Sequence, residues 1–322
     1  MVAGFLIIGF LLRSSFYAEK PSVSVDVSVN VDKLPSKTFV VASVGKDDTS
    51  WIRQNFADWQ VARYIVDDEA ADLTVPANKG QEAMAYLTYI IDTYENLPDL
   101  SVFMHSARWQ WHNDDPLYDG IPMLKNLQLP YIISQGYTNL RCVWLLGCPA
   151  EMNLEAKPEE VDAAKTTEIA YPQAFKELFP GEQMPPRIGV ACCAQFAVTR
   201  EKIRERPLTD YKRYRQWLLD TPLDNHVSGR VLEYSWHIIF GKPPVHCPNA
   251  KECYCNIFGL CDLECNEEGK CGEYWPFPPF ATLPHGWPTV GWSGESRDQE
   301  VLANLRTVAA SPKSREEIKS AA

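Results

Sequence analysis

Between residues 38 and 105 the chain reads as two strands, a helix and a third strand, and this order narrows the possible folds more than any other feature. "TFVVASV" (38–44), "WQVARYIV" (59–66) and "LSVFMH" (100–105) are short apolar runs rich in Val, Ile and Phe. Their apolar residues fall on neighbouring positions, as strands covered on both faces require. Before the third run, "NKGQEAMAYLTYIIDTYENLP" sets Ala83, Leu87, Ile90, Ile91 and Tyr94 on one helical face. Asn78 is the expected N-cap, with Gln81 three residues on and Pro98 ending the run. Strand, crossover helix and strand predict an α/β sheet with helices on both faces.

The later half continues the pattern. "IGVACCAQFAV" (188–198) reads as one more buried strand, and helices are expected over 207–221 and 226–241, with Pro207 in a first turn and Gly241 as a C-terminal cap. Residues 150–168 are polar and acidic, which suits a surface excursion. From about Arg297 the chain is charged and weakly helical, the mark of a tail.

At the other end, "MVAGFLIIGFLL" is about as long as a signal-peptide apolar core and shorter than the roughly 18–20 residues that span a bilayer. No small-x-small cleavage site follows it, so an uncleaved signal-anchor is favoured over a cleaved signal peptide, giving membrane anchoring through the N-terminus. Val23, Val25, Val27, Val29 and Val31 then alternate with polar residues between prolines, which reads as an extended stem.

Six cysteines, Cys247, Cys253, Cys255, Cys261, Cys265 and Cys271, fall within one short segment that lacks the C-x2-C pairs of zinc ribbons. Disulfides are the expectation, and with the N-terminal apolar run they imply the secretory pathway, in the Golgi or ER lumen as a type II protein or secreted. No N-x-S/T sequon occurs. The resulting division is 1–17 signal-anchor or signal peptide, 18–37 stem, 38–243 α/β domain, 244–293 Cys-rich appendage and 294–322 tail. A net charge of -11 without a basic stripe argues against a nucleic-acid partner.

In open α/β sheets ligands bind beyond the carboxyl ends of parallel strands. There this chain gathers Asp47 and Asp48 after the first strand, Asp67 and Asp68 after the second, and His105, Ser106 and Arg108 after the third. Asn78, Lys79 and Gly80 precede the helix, where amides and an ammonium suit a diphosphate. Each group also has an ordinary role, the aspartates as turn formers, Asn78 as a cap and His105 as a core histidine. In "HSARWQWHNDDP" Trp109 and Trp111 are expected beneath the turn, Asn113 as a turn former, and Asp114 and Asp115 toward a ligand.

The blocks "VPANKGQEAMAYLTYIIDTYENLPDLSVFMHSARWQWHNDDP", "CCAQFAVTREKI" and "GRVLEYSWHIIFGKPPVHCP" resemble the successive blocks of a large fungal family catalogued only as a domain of unknown function. A second, weaker resemblance is to GT-A type nucleotide-sugar glycosyltransferases. It implies a GT-A-like, Rossmann-like sheet with a nucleotide-binding half, a strand ending in a D-x-D metal motif, and an acceptor half with a carboxylate-bearing helix.

That second resemblance implies a glycosyltransferase moving a sugar from a nucleotide sugar to a glycan or small-molecule acceptor. Glu233 and His105 would be its catalytic residues, and Asp47, Asp67, Asp68, Asn78, Lys79, Arg108 and Gln195 its substrate contacts. Manganese or magnesium would be the cofactor. No D-x-D occurs, so the metal would fall to His105 with Asp114 and Asp115, or Lys79 and Arg108 would neutralise the diphosphate. Two alternatives stand beside it: a non-catalytic carbohydrate-binding or cell-wall interaction protein, and a metal-dependent hydrolase using His105, His112 and the nearby aspartates.

Overall fold

The structure is a computed structural model that describes residues 34–156, 162 and 164–310. The expected signal-anchor and nearly all of the stem lie outside them. Among the described residues no helix is long and apolar enough to cross a membrane.

The strands are β1 (Lys37–Ser43), β2 (Gln60–Ile65), β3 (Leu100–His105), β4 (Tyr137–Asn139), β5 (Met152–Asn153), β6 (Arg187–Val190), β7 (Phe196–Thr199) and β8 (Val245–His246). The helices are α1 (Ser50–Asn55), α2 (Ala83–Thr93), α3 (Gly120–Lys125), α4 (Leu129–Gln135), α5 (Thr166–Leu178), α6 (Arg200–Arg204), α7 (Leu208–Asp220), α8 (Asn225–Glu233), α9 (Trp236–Ile239), α10 (Ala250–Phe258) and α11 (Gln299–Ala310).

The main sheet is mixed and runs β2-β1-β3-β7-β4, with β2, β1 and β3 parallel and β7 antiparallel to both of its neighbours. A small second sheet runs β5-β6-β8. Period-two alternation divides the main sheet between two cores. Phe39, Val41, Val102 and Met104 face α1, α3, α4 and α10, while Val40 and Phe103 face α2, α5, α7 and α8. Burial on both faces is why these strands read as continuous apolar runs.

The one strand expected over 188–198 is two. β6 and β7 belong to different sheets, and between them Cys192 and Cys193 are joined in a disulfide, with positive φ at Cys193 and Ala194. Such a turn cannot continue a pleated ladder. The helix expected over 226–241 breaks after Glu233 into α8 and α9, while Gly241 does close the segment with positive φ. Nor does the crossover helix start at Asn78. Gly80 and Gln81 both have positive φ, so α2 begins at Ala83 with Glu82 in the N-cap position.

All ten cysteines are oxidised. Cys142–Cys253 and Cys148–Cys247 tie the Cys-rich segment to the loop after β4, whereas Cys255–Cys261 and Cys265–Cys271 close short loops within it. Cys253, Tyr254, Ile257 and Phe258 of α10 lie in the same core as Phe39 and Val102. The segment is therefore packed into the body and is not an appendage hung from it. The expected tail is likewise anchored in part: Arg306 of α11 reaches Asp119 at 3.1 Å and Leu302 is buried.

Candidate functional site

Parallel pairing aligns Ala42 of β1 with His105 of β3, so the two strands end side by side. Beyond those ends lies an open cleft of about 350 Å³, lined among others by Asp47, Asn78, Gln81, Glu82, His105 and Asn225. Its lining is fixed by side-chain hydrogen bonds. Asp47 accepts from Ser106 Oγ at 2.6 Å and from the Val44 amide at 3.1 Å, and Asn225 Oδ1 accepts from the Gln81 amide at 3.1 Å.

At the back of the cleft His105 is held at both ring nitrogens. Nδ1 lies 2.9 Å from Glu82 Oε1, and Nε2 lies 3.0 Å from the Cys193 carbonyl. Both partners accept, so both nitrogens carry protons and the ring is an imidazolium. Burial opposes that charge, but Glu82, the Cys193 carbonyl and Glu233 outweigh it and raise the His105 pKa. Glu82 is also half-buried. Burial pushes its carboxyl up, yet the charge and hydrogen bond of His105 leave it lowered.

Cys193 joins His105 to the third group. Its amide donates to Glu233 Oε1 while its carbonyl accepts the hydrogen bond from His105 Nε2. Glu233 ends α8 and is half-buried. Burial raises its pKa above the usual glutamate value; the Cys193 amide, Arg230 and His105 restrain the rise, and Glu82 adds to it. Glycines let two helices come close to the turn before α2: a Cβ on Gly229 of α8 would stand 2.6 Å from Gln81 Cγ, and one on Gly80 would stand 2.6 Å from a Leu218 methyl of α7.

His112 stacks on His105, with ring centroids 4.6 Å apart and planes inclined by 21°, and Trp111 packs against His112. Burial, then the charges of His105 and Arg141, push the His112 pKa well down, so this second ring is neutral. Lone pairs of nearly parallel stacked rings lie in separate planes and do not meet at one ion. The arrangement hydrolytic zinc chemistry would need is absent from this pair.

Of the residues expected from sequence, the structure brings Asp47, Asn78 and His105 to the cleft, joins Glu233 to His105 through Cys193 outside the cleft's lining, and gives the others structural work. Asp67 accepts from the Gly45 amide at 2.7 Å in the neighbouring loop, and Asp68 accepts from the Ala70 amide in a turn. The Lys79 ammonium donates to the Thr221 carbonyl. Arg108 grips Asp119 through two bonds of 2.9 Å and lies over Trp109.

Asp114 and Asp115 do not approach a ligand, which corrects the expected metal set. Asp114 is buried and accepts from Tyr254 and from the Cys142 and Val143 amides. Asp115, pushed by burial to about 6, accepts from the Leu117 and Asp119 amides. Both aspartates are turned to these partners, and among the described residues His105, Asp114 and Asp115 do not converge on one point as metal ligands. Among the described residues the metal-type donors that converge are Cys192, Cys193 and Glu233, and the two thiols are spent in a disulfide.

Gln195 is a brace, accepting from the His105 amide at 3.4 Å and donating to His112 and Asn113. Asn113 holds its turn as expected, donating to the Arg108 and Tyr118 carbonyls. Glu82 was missed because it reads as a helix-surface residue. The positive-φ pair Gly80–Gln81, which turns its position inward, has no periodic signature.

The model of one family, described as a protein of unknown function (DUF3431), matches residues 39–256. The chain belongs to this family. No curated protein and no solved structure matches it, so these comparisons lend nothing to the glycosyltransferase resemblance.

Proposed function

We propose that the chain is a glycosyltransferase-like enzyme of the secretory pathway, taking a nucleotide sugar in the cleft beyond β1 and β3. The observation that supports this most is the Glu82–His105–Cys193–Glu233 chain, which links a carboxyl of raised pKa, through Cys193, to a positive charge that lines an open cleft. The order of parts agrees with a GT-A-like plan: a parallel β2-β1-β3 half, then antiparallel β7, then a helix bearing Glu233.

In this reading Glu233 removes the proton from an acceptor hydroxyl as its oxygen bonds to the anomeric carbon. The bond from that carbon to the phosphate oxygen breaks, and the electron pair leaves with the diphosphate. A base whose pKa is lifted toward neutrality suits the first task. His105 stays charged and steadies negative charge building at the back of the cleft.

No Lys or Arg is among the residues lining the cleft, so the reading calls for manganese or magnesium to neutralise the diphosphate. The lining fits such an ion, because one carboxylate such as Asp47 with the donor's own phosphates is an ordinary hard-cation shell.

The carbohydrate-binding alternative draws on a different surface, where Phe277 and Phe280 are exposed and Trp287 and Trp292 lie half-buried over the buried Tyr118 and Trp275. Thermal melts of the chain with nucleotide sugars, with and without manganese, separate the two readings. The enzyme is stabilised by a nucleotide sugar, while a binder responds only to free glycans. With an active donor, Glu233→Gln should lower turnover about 10²–10⁴-fold and leave donor binding intact; unchanged turnover would remove Glu233 from the reaction.

A further inference from the structure

Four of the five disulfides join residues 6 to 111 positions apart, and one joins neighbours. The stabilisation that a cross-link gives by restraining the unfolded chain grows with the loop it closes. Cys192–Cys193, at a separation of 1, closes no loop of that kind. What it restrains is the single peptide between two adjacent residues.

That peptide lies in a turn pinned on both flanks. Upstream, the Cys192 amide donates to the Leu146 carbonyl at 3.2 Å and Asn139 Nδ2 donates to the Ala191 carbonyl at 2.8 Å. Downstream, the Gln195 carbonyl accepts from the Leu140 amide at 2.9 Å. Between these ties Cys193 has φ +90° and Ala194 +47°, a left-handed region that residues with a Cβ keep only where their surroundings enforce it. In that conformation one residue serves two groups of the site. The Cys193 amide donates to Glu233 Oε1, and its carbonyl accepts from His105 Nε2 at 3.0 Å. A Glu233 oxygen and both sulfurs also lie within 4.8 Å of one another.

The surroundings bear on how the bond would exchange. Arg141 Nη1 stands 3.5 Å from Cys193 Sγ and favours a thiolate there, which makes Cys193 the better leaving group. Cys192 and Cys193 are 6% and 5% exposed, which keeps a bulky protein reductant away.

We propose that the Cys192–Cys193 disulfide is a redox switch on the site: oxidised, it locks the turn that holds His105 and Glu233, and reduced by a small dithiol it lets that turn relax and both holds loosen. One thiolate of the dithiol bonds to Cys192 Sγ as the S–S bond breaks, and the electron pair leaves with Cys193. The second thiolate then displaces Cys192, the dithiol closes to a cyclic disulfide, and its two protons end on the two cysteines. The switch acts on the site whatever reaction runs there, so its failure and that of the sugar-transfer reading are independent.

A dithiothreitol titration of the full chain reads the switch, with alkylated cysteines mapped by mass spectrometry and the His105 ring followed by nitrogen NMR. Cys192 and Cys193 should become alkylated at concentrations that leave Cys142–Cys253 and Cys148–Cys247 closed. The His105 titration midpoint should fall in step by about half a unit to one unit, the worth of one lost hydrogen bond. Cys192→Ser with Cys193→Ser should show the same fall without reductant, and where that pair does not fold the wild-type titration decides alone. Cys265→Ser with Cys271→Ser, which removes a short link elsewhere, should show none. Cys192→Ser with Cys193→Gly should return the midpoint toward wild type, because glycine accepts positive φ freely; a mere packing defect would not be repaired that way. A His105 ring unmoved by reduction or by the Ser pair, an equal fall when Cys265 and Cys271 are replaced, a glycine variant no nearer wild type than the Ser pair, or a Cys192–Cys193 bond that resists dithiol until the long links open would overturn the proposal.

Discussion

Residues 37–105 and residues 137–271 each supply half of the cleft's chemistry, yet they are held together in different ways. The first region contains no cysteine and is built from parallel strands and two helices, α1 and α2, the second buried from Ala83 to Ile90, so near neighbours in sequence pack on each other. The second carries all five disulfides, and its pairings span 111 and 99 residues where Cys142 meets Cys253 and Cys148 meets Cys247. His105 and Glu82 come from the first region and Cys193 and Glu233 from the second, so the site exists only where the two meet. A site at such a seam depends on the weaker side, which here is the side with the costlier loops to close.

The sharpest way to break the comparison is to remove cross-links of unequal span. Loop-closure entropy assigns about 5 kcal/mol to the Cys142–Cys253 link, across 111 residues, and about 2 kcal/mol to Cys255–Cys261, across 6 residues. Replacing each pair by Ser and unfolding in denaturant should rank the losses in that order. Equal losses would mean that the second region does not rely on its long links.

A smaller effect tests the seam itself. In Gly229→Ala the new methyl meets Gln81 and the Gly80 backbone, and should cost about 1–3 kcal/mol by forcing α8 away from the turn before α2. Denaturant unfolding measures the loss; a neutral substitution would show that the two regions are not tightly docked there.

The least of these effects is a pH dependence. The pKa of His105 is raised, so its share of stability is complete below 6.5 and is lost as pH climbs through the raised value. Glu82 is lowered, so its share is complete above 4.5 and is lost as pH falls through the lowered value. Melting curves of wild type and Glu82→Gln should therefore differ most between 4.5 and 6.5 and converge on either side. Glu233 has the opposite sign, since a raised carboxyl pKa lowers stability as pH climbs past the unfolded value. Glu233→Gln should be the more stable protein at neutral pH.

The same contrast explains what the sequence discloses. In the first region β1, β2, β3 and the body of α2 are readable from periodicity, because each buries its own pattern against near neighbours. In the second, the Cys192–Cys193 turn hides inside an unbroken apolar run, and β4, β5 and β8 are only two or three residues long. At the site, His105, Asp47 and Asn78 are legible as residues at strand and helix ends. Glu82 is not, since its inward turn rests on two positive-φ residues, and the structural duty of Asp114 follows from Tyr254, 140 positions away in sequence.

The central claim is that His105 is a charged ring clamped between Glu82 from one region and Cys193 from the other. Side-chain nitrogen NMR of the full chain, following His105 through a pH titration in wild type and in Glu82→Gln, measures that clamp. The expected result is a wild-type ring that titrates above the usual histidine value with both nitrogens protonated below it, and a clear fall in Glu82→Gln. A ring that titrates at or below the usual value, or is indifferent to Glu82, would contradict the account.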